Sequence, residues 1–366
     1  MVIDWSDGNK SSLYSLWLRD HCQMHVSRNL DNGQRLFSVK DLPSNITIEK
    51  AYKDAEGNVC VMFQPENHLS VFSQKWLREN CYELNSHFED RSEKQKKLWQ
   101  KDSFDNGLPF ISYDLMRSDD TSKVLALRSL RESGFFVLND VPTKDGQVLK
   151  VISELGFTRE TNYGALFEVR TEVNPNNLAF TNLGLGSHTD NPYRDPVPTV
   201  QLLHCLESST EGGESILVDG FKAASILREE SEESFLSLAN TWINYRFSDS
   251  KTELRSRVPM IELNDKKEVI KVRYNNRSID TINVPQDKMR SFYKAYRHWS
   301  EVIERDELKI QFKLSEGGLM LFDNTRVMHA RTEFSKSGKR HLQGAYSDLD
   351  GLYSLLNRLE MKNNND

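Results

Sequence analysis

The chain has 366 residues, 37% hydrophobic and 10% aromatic, with a formal charge of -6 and a pI near 5.9. That length buries a sizeable core and points to one large domain with a smaller one. The acidic balance, without a basic run or zinc-knuckle spacing, argues against nucleic acid, and no stretch approaches the roughly 18 apolar residues of a membrane span.

The first residues, MVIDWSDGNKSS, carry no apolar segment of the signal-peptide kind. Cys22, Cys60, Cys81 and Cys205 are widely spaced and form no CxxC pair. This pattern predicts reduced thiols in a cytoplasmic protein.

Residues 1–86 read as a small β-rich N-terminal domain. ITIEKAY and NVCVMF are strand-like runs separated by the turn residues DAEGN, with HLSVF as a further strand and SQKWLREN as a short helix. The charged run HFEDRSEKQKKLWQKD at 87–102 has no periodicity and reads as a linker. Residues 103–366 form the larger domain. Asp119 to Ser122 offer helix caps before KVLALRSLRES, Gly134 closes that helix, and FFVLNDV follows as a buried strand. KDGQVLKVISEL repeats the helical pattern before Gly156. Short strand-like runs then alternate with turns (TVQLLHC, SILVDGF, EVIKVRY, GGLMLF), interrupted by helical patterns at 222–240 and 286–304. The fold expected is mainly β with flanking helices, a double-stranded β-helix or jelly roll.

The chemistry begins with GLGSHTDNPY. His188 and Asp190 are two apart, so an extended segment turns an imidazole and a carboxylate to one side. An HxD pair alone is weak evidence. GGLMLFDNTRVMHARTEF adds an apolar strand that runs to His329, and Arg340 follows eleven residues on. Two histidines and one carboxylate make the facial triad of non-haem Fe(II) oxygenases, which leaves three metal positions open. A bidentate keto acid and O₂ fill those positions, and a planar guanidinium such as Arg340 suits the keto acid's far carboxylate. Alone, His329 is more often a structural histidine and Arg340 a surface cation; their order and spacing together argue otherwise. A zinc hydrolase would give no reason for Arg340. A non-catalytic binding protein would not need an intact triad.

Several blocks extend the match: WLRDHCQ at 17–23, VFSQKWLREN at 71–80, NPNNLAFTNLGLGSHTD at 174–190, VQLLHCLE at 200–207, GGESILVDGF at 212–221, LFDNTRVMHAR at 321–331 and RHLQGAYSDLD at 340–350. Across nearly its whole length the chain resembles the γ-butyrobetaine hydroxylase branch of the taurine-dioxygenase-like Fe(II)/2-oxoglutarate oxygenases. The resemblance implies a homodimer, with iron on His188, Asp190 and His329, the 2-oxoglutarate carboxylate on Arg340, and Leu203 and Ser215 in the co-substrate pocket. It implies oxidative decarboxylation of 2-oxoglutarate to succinate and CO₂, coupled to hydroxylation of an unactivated C–H bond. Relatives often hold an N-terminal zinc; here Met24 and Ser27 replace thiolates, leaving Cys22 and His68. Loss of that zinc is expected, because a closed structural site needs about four N or S ligands.

The resemblance also implies a trimethylammonium substrate. A quaternary cation donates no N–H hydrogen bond and is held by aromatic faces. Tyr163, Phe167, Phe180 and Tyr346 stand at the positions of that cage. The anionic end falls to Asn177, Asn191, Tyr193, Asn275, Asn276 and Arg277. Asn191 stands where some relatives carry a tyrosine, and Arg277 where some carry a small residue. The room and charge so gained lean the expected substrate to 2-(trimethylamino)ethylphosphonate, with γ-butyrobetaine as the alternative. On the other reading of Arg277, it faces solvent or pairs with Asp280 and the anion is a carboxylate.

Overall fold

The computed structural model describes residues 1–84, 96–105, 107–170, 184–335 and 338–363. The chain forms two compact units, Met1–Lys94 and Gln95–Asp366. In the first, β1 (Val2–Asp4) pairs with β2 (Lys10–Ser12), and α1 (Ser15–Asp20) follows. β3 (Thr47–Lys53), β4 (Val59–Gln64) and β5 (His68–Phe72) make an antiparallel meander, and α2 (Gln74–Asn80) is capped by Ser73, whose Oγ accepts from Trp76 N at 3.1 Å. Alternate residues of these strands, with Leu18 and Leu77 from the helices, form its core: Val61, Phe63 and Phe72 are fully buried. Cys22 Sγ lies 3.3 Å from His68 Nε2. Beside the Cys22 run, Arg19 is ion-paired to Glu66 at 2.9 Å and donates to Ser27 Oγ at 3.4 Å.

The charged run read as a linker over 87–102 is described only from residue 96 on. Residues 85–95 lie outside the described residues, but Trp99 is buried. Its indole donates to Ser133 O at 2.6 Å and its backbone N to Asp219 at 3.1 Å. One large aromatic side chain anchors a stretch whose average polarity suggested solvent.

β6 (Phe110–Ser112), α3 (Tyr113–Ser118), α4 (Asp120–Ser133) and β7 (Phe135–Asn139) come next. Asp119 caps α4 by accepting from Thr121 N and Ser122 N, and Gly134 ends it at φ +82°. After α5 (Gln147–Leu155) come β8 (Leu166–Arg170), β9 (Leu185–His188), β10 (Val200–Ser208) and β11 (Ser215–Asp219). The helical pattern at 222–240 resolves into α6 (Gly220–Glu230) and α7 (Glu232–Asn240), because Ser231 leaves helical geometry and its Oγ accepts from Ser234 N at 3.1 Å. Two hairpins follow, β12 (Ile243–Ser248) with β13 (Glu253–Val258), and β14 (Ile261–Leu263) with β15 (Val269–Val272). The chain ends with α8 (Gln286–Ile303), β16 (Ile310–Phe312), β17 (Leu319–Asp323), β18 (Val327–Arg331), β19 (Arg340–Ser347) and α9 (Leu349–Asn363).

Among the described residues these strands form a major sheet, β6-β7-β17-β10-β19-β8, and a minor sheet, β16-β11-β18-β9. This is the jelly roll expected from the many short strands. Strand alternation then allocates the side chains. Val200, Leu202, Leu319, Leu321 and Ala345 point outward into a core with α4, α5 and α9. Leu203, Met320, Phe322, Leu342 and Leu217 face inward, between the sheets. Each fully buried leucine or valine contributes about 1.5–3 kcal/mol. No helix of the described residues is long and apolar enough to cross a membrane.

Candidate active site

Between the sheets lies a cavity of about 460 Å³. Its walls follow strand parity: Phe167 and Val169 from β8, Gln201 and Leu203 from β10, Arg340, Leu342 and Tyr346 from β19, and His329 and Arg331 from β18.

His188 ends β9, and its register partner across the strand pair is His329 on β18. The register slips between His329 and Arg331, so β9 carries an extra residue there, and this bulge aims His188 inward. The imidazoles lie 4.2 Å apart, centroid to centroid. His188 Nδ1 meets Gly186 O at 2.9 Å, which assigns the proton to Nδ1 and leaves the Nε2 lone pair free, 3.5 Å from Asp190 Oδ1. Ligand atoms of His188, Asp190 and His329 all lie within 4.8 Å of one another, the one such grouping of His, Cys, Asp or Glu among the described residues.

Burial, and then the proximity of His188, push the His329 imidazole down to about 3, so it is neutral and able to donate a lone pair at physiological pH. Burial works against the charge of Asp190. The close approach of His188, the neighbouring His329 and the Tyr346 hydroxyl outweigh it, and the carboxyl is held well below the usual range. Two imidazoles and an ionised carboxylate on one side of a cavity are the donor set that suits Fe(II).

Asp190 is held from three directions. Its Oδ2 accepts from Gln201 Nε2 and from Tyr346 Oη, each at 2.8 Å. Its backbone N donates to Asn324 Oδ1 at 2.7 Å, and Asn324 Nδ2 returns a hydrogen bond to Asp190 O at 3.0 Å. Asn324 sits in the turn between β17 and β18, so this turn ties the metal strand to the HxD segment.

At one end of the cavity stand two guanidinium groups. Arg340 begins β19, with Gly213 against it, and Arg331 ends β18 opposite Ser215. Both lie against the Phe334 ring, at 5.5 and 4.8 Å. Burial, then the charges of Arg340 and Arg277, push Arg331 down to about 10. Leu203 and Ser215 line the same cavity. An anion relieves this repulsion, as a keto-acid carboxylate would.

At the other end the aromatic rings form a continuous series. Tyr346 stacks on Phe167 at 5.0 Å, Phe167 lies 6.3 Å from Tyr163, Tyr163 packs edge-on to Phe247 at 5.8 Å, and Phe247 stacks on Tyr193 at 5.1 Å. Tyr163 and Tyr193 share a hydrogen bond of 2.9 Å, and Tyr193 donates to Asn191 Oδ1 at 2.7 Å. Asn191 adopts φ +53°, a conformation asparagine tolerates better than most residues.

Of the residues singled out from sequence, the structure brings to this cavity His188, Asp190, His329, Arg340, Leu203, Ser215, Tyr163, Phe167, Asn191, Tyr193, Asn275, Arg277 and Tyr346. Arg277 reaches it from an exposed position at the rim, and no ion pair with Asp280 occurs among the described residues. Asn276 is not brought there: it is exposed and outside the lining, since the turn that directs Asn275 inward, its Nδ2 donating to Thr189 O at 3.3 Å, turns its neighbour outward. Asn177 and Phe180 lie outside the described residues. Sequence reasoning missed Phe247, Gln201, Arg331 and Asn324. The alternation of VQLLHC and VMHAR offered a signal for Gln201 and Arg331, each two residues from a named neighbour on the same face.

Two histidines and a carboxylate gathered at a cavity that Arg331 and Arg340 also line, with a jelly roll around it, are the arrangement of an Fe(II)- and 2-oxoglutarate-dependent dioxygenase. The chain belongs to the taurine catabolism dioxygenase TauD, TfdA family, whose model matches residues 105–346; a gamma-butyrobetaine hydroxylase-like N-terminal model matches residues 1–78. It is 32% identical to a gamma-butyrobetaine dioxygenase of Pseudomonas sp. strain AK-1, covering 96% of this chain and 91% of that one. It is 31% identical to the Homo sapiens gamma-butyrobetaine dioxygenase (99% and 95% covered) and 27% identical to a trimethyllysine dioxygenase of Meyerozyma guilliermondii (98% and 93%). A Burkholderia xenovorans structure described as an alpha-ketoglutarate-dependent taurine dioxygenase shares the fold with a TM-score of 0.50 at 14% identity, covering 64% of this chain and 88% of that one.

Proposed function

We propose that the enzyme hydroxylates an unactivated C–H bond of a trimethylammonium carboxylate, with γ-butyrobetaine as the substrate. The observation that carries this reading is the unbroken series of five rings, Tyr346, Phe167, Tyr163, Phe247 and Tyr193, beside Asp190. Such faces hold a cation that has no N–H to donate. The relatives named for γ-butyrobetaine support the carboxylate over the phosphonate toward which Asn191 and Arg277 leaned.

In this reading His188, Asp190 and His329 hold the iron, and Arg340, with Leu203 and Ser215 as walls, receives the far carboxylate of 2-oxoglutarate. When bound, iron would let O₂ act as the oxidant, one of its oxygen atoms entering succinate as 2-oxoglutarate loses CO₂ and the other entering the substrate as the hydroxyl. The chain's own work is orientation and exclusion of water. The rings fix the cation, Asn275 and Arg277 face the anion, and the two sheets shield the reacting carbon. The homodimer implied by the resemblance belongs to the same reading and is checked by sedimentation.

Succinate release decides the substrate. γ-Butyrobetaine is expected to stimulate it strongly and 2-(trimethylamino)ethylphosphonate weakly; the reverse order sinks the carboxylate reading. Arg277→Ala is expected to raise KM for the anionic substrate about tenfold, since a rim position discounts a charge-assisted contact.

Gly344 provides a second check. It lies opposite Phe167 in the β19–β8 pair, and a Cβ at 344 would overlap the Phe167 ring. Gly344→Ala is expected to displace that ring and raise KM for the quaternary substrate about tenfold, within the range of a lost cation–π contact. Metal affinity should stay unchanged, and an unaltered KM would show that Phe167 is no wall of the box.

A further inference from the structure

Gln201 and Tyr346 are register partners on β10 and β19, and both donate to one oxygen of Asp190, Oδ2. The other oxygen, Oδ1, is left facing His188 Nε2 at 3.5 Å. Neither donor stops at the carboxylate. The Tyr346 ring is stacked on Phe167 in the aromatic box. Gln201, 1% exposed, lines the cavity, and its Oε1 has no hydrogen-bond partner among the described residues. A buried amide oxygen without a partner is costly, and it offers an acceptor to whatever enters the cavity.

We propose that Gln201 and Tyr346 form a positioning clamp that reserves Asp190 Oδ1 for the metal and transmits occupancy of the aromatic box to that carboxylate. The second half rests on the proposed function; the first does not. Held by two hydrogen bonds, the carboxylate cannot rotate to present both oxygens to the ion, so the metal keeps its open positions for the keto acid and O₂. A cation seated on Tyr346 and contacting Gln201 Oε1 restricts the two side chains that hold Asp190. By linkage, metal and cation each tighten the other's binding by the same factor.

Mn(II), a redox-stable stand-in for Fe(II), tests the clamp. Its affinity is measured by electron paramagnetic resonance of the free ion, with 2-oxoglutarate present and with or without γ-butyrobetaine. Tyr346→Phe keeps the ring and removes the hydroxyl; Gln201→Leu keeps the bulk and removes both polar atoms. Without substrate, each variant is expected to bind Mn(II) about 10-fold more weakly, at an unchanged thermal midpoint. In the wild type, γ-butyrobetaine is expected to tighten Mn(II) about 5-fold or more, and in Tyr346→Phe this factor falls toward one. Wild-type Mn(II) affinity in both variants overturns the clamp. A coupling factor that survives in Tyr346→Phe, or is missing from the wild type, overturns the transmission. If γ-butyrobetaine fails to bind the wild type at all, the substrate reading fails, and the substrate-free titration still decides the clamp.

Discussion

Asp190→Ala is expected to lower 2-oxoglutarate turnover by about three orders of magnitude or more, because it removes the one anionic donor of the triad; each 1.4 kcal/mol of lost stabilisation is about a factor of ten. The fold should persist. Asp190 lies in the turn after β9, and its backbone bonds to Asn324 do not depend on its carboxylate. What remains is a pair of imidazoles 4.2 Å apart, with Gln201 and Tyr346 each deprived of an acceptor. Iron titration and succinate assay on the same preparation check this. Turnover retained at even a tenth of the wild-type rate would overturn the metal assignment. Asp190→Asn separates charge from shape: it keeps an oxygen for one of the two donors and loses the negative charge, and we expect it to fall nearly as far.

Arg326→Met is expected to have the largest effect on stability, about 3–5 kcal/mol, because it strands a buried charge. Arg326 is 1% exposed, and its guanidinium grips Asp219 with Nε at 3.1 Å and Nη2 at 2.9 Å. The same fork donates to Glu132 O at 2.8 Å and Lys97 O at 2.5 Å. It therefore binds the end of α4, the stretch before Trp99 and the end of β11 at one point. Urea denaturation of the variant should show a much lower midpoint. The double change Arg326→Met with Asp219→Leu should recover part of the loss, since it removes the stranded charge. Recovery will be incomplete, because Asp219 also accepts from Phe221 N at the start of α6 and from Trp99 N. Equal losses in the single and double variants would show that burial of the unpaired carboxylate is not the cause.

The jelly roll was readable in the sequence because period-two runs such as TVQLLHC, SILVDGF and GGLMLF are short and separated by turn residues. The metal face was readable from the HxD spacing and the later histidine of an apolar strand, although only His188 and His329 lie on strands and the turn after β9 sets Asp190. Phe247 was not readable: it reaches the box from the β12–β13 hairpin by long-range packing, and INYRFS alone does not say what its phenylalanine meets. Gln201 was hidden for a different reason. A glutamine in an apolar strand is ambiguous until its partner is known, and that partner is Asp190. Asn324 looked like an ordinary turn residue in DNTR, yet its amide bridges two segments far apart in the chain. In the charged run at 87–102, average polarity gave no sign of what Trp99 anchors.

The facing positions of His188 and His329 carry a mechanical implication. β9 is the outermost strand of its sheet, four residues long, and pairs only with β18 among the described residues. A metal joining these two imidazoles fastens the sheet margin by a bond that the backbone does not provide. Loading the ion should therefore slow amide hydrogen exchange along Leu185–His188 more than in the interior strands β10 and β17, whose neighbours already secure them on both sides.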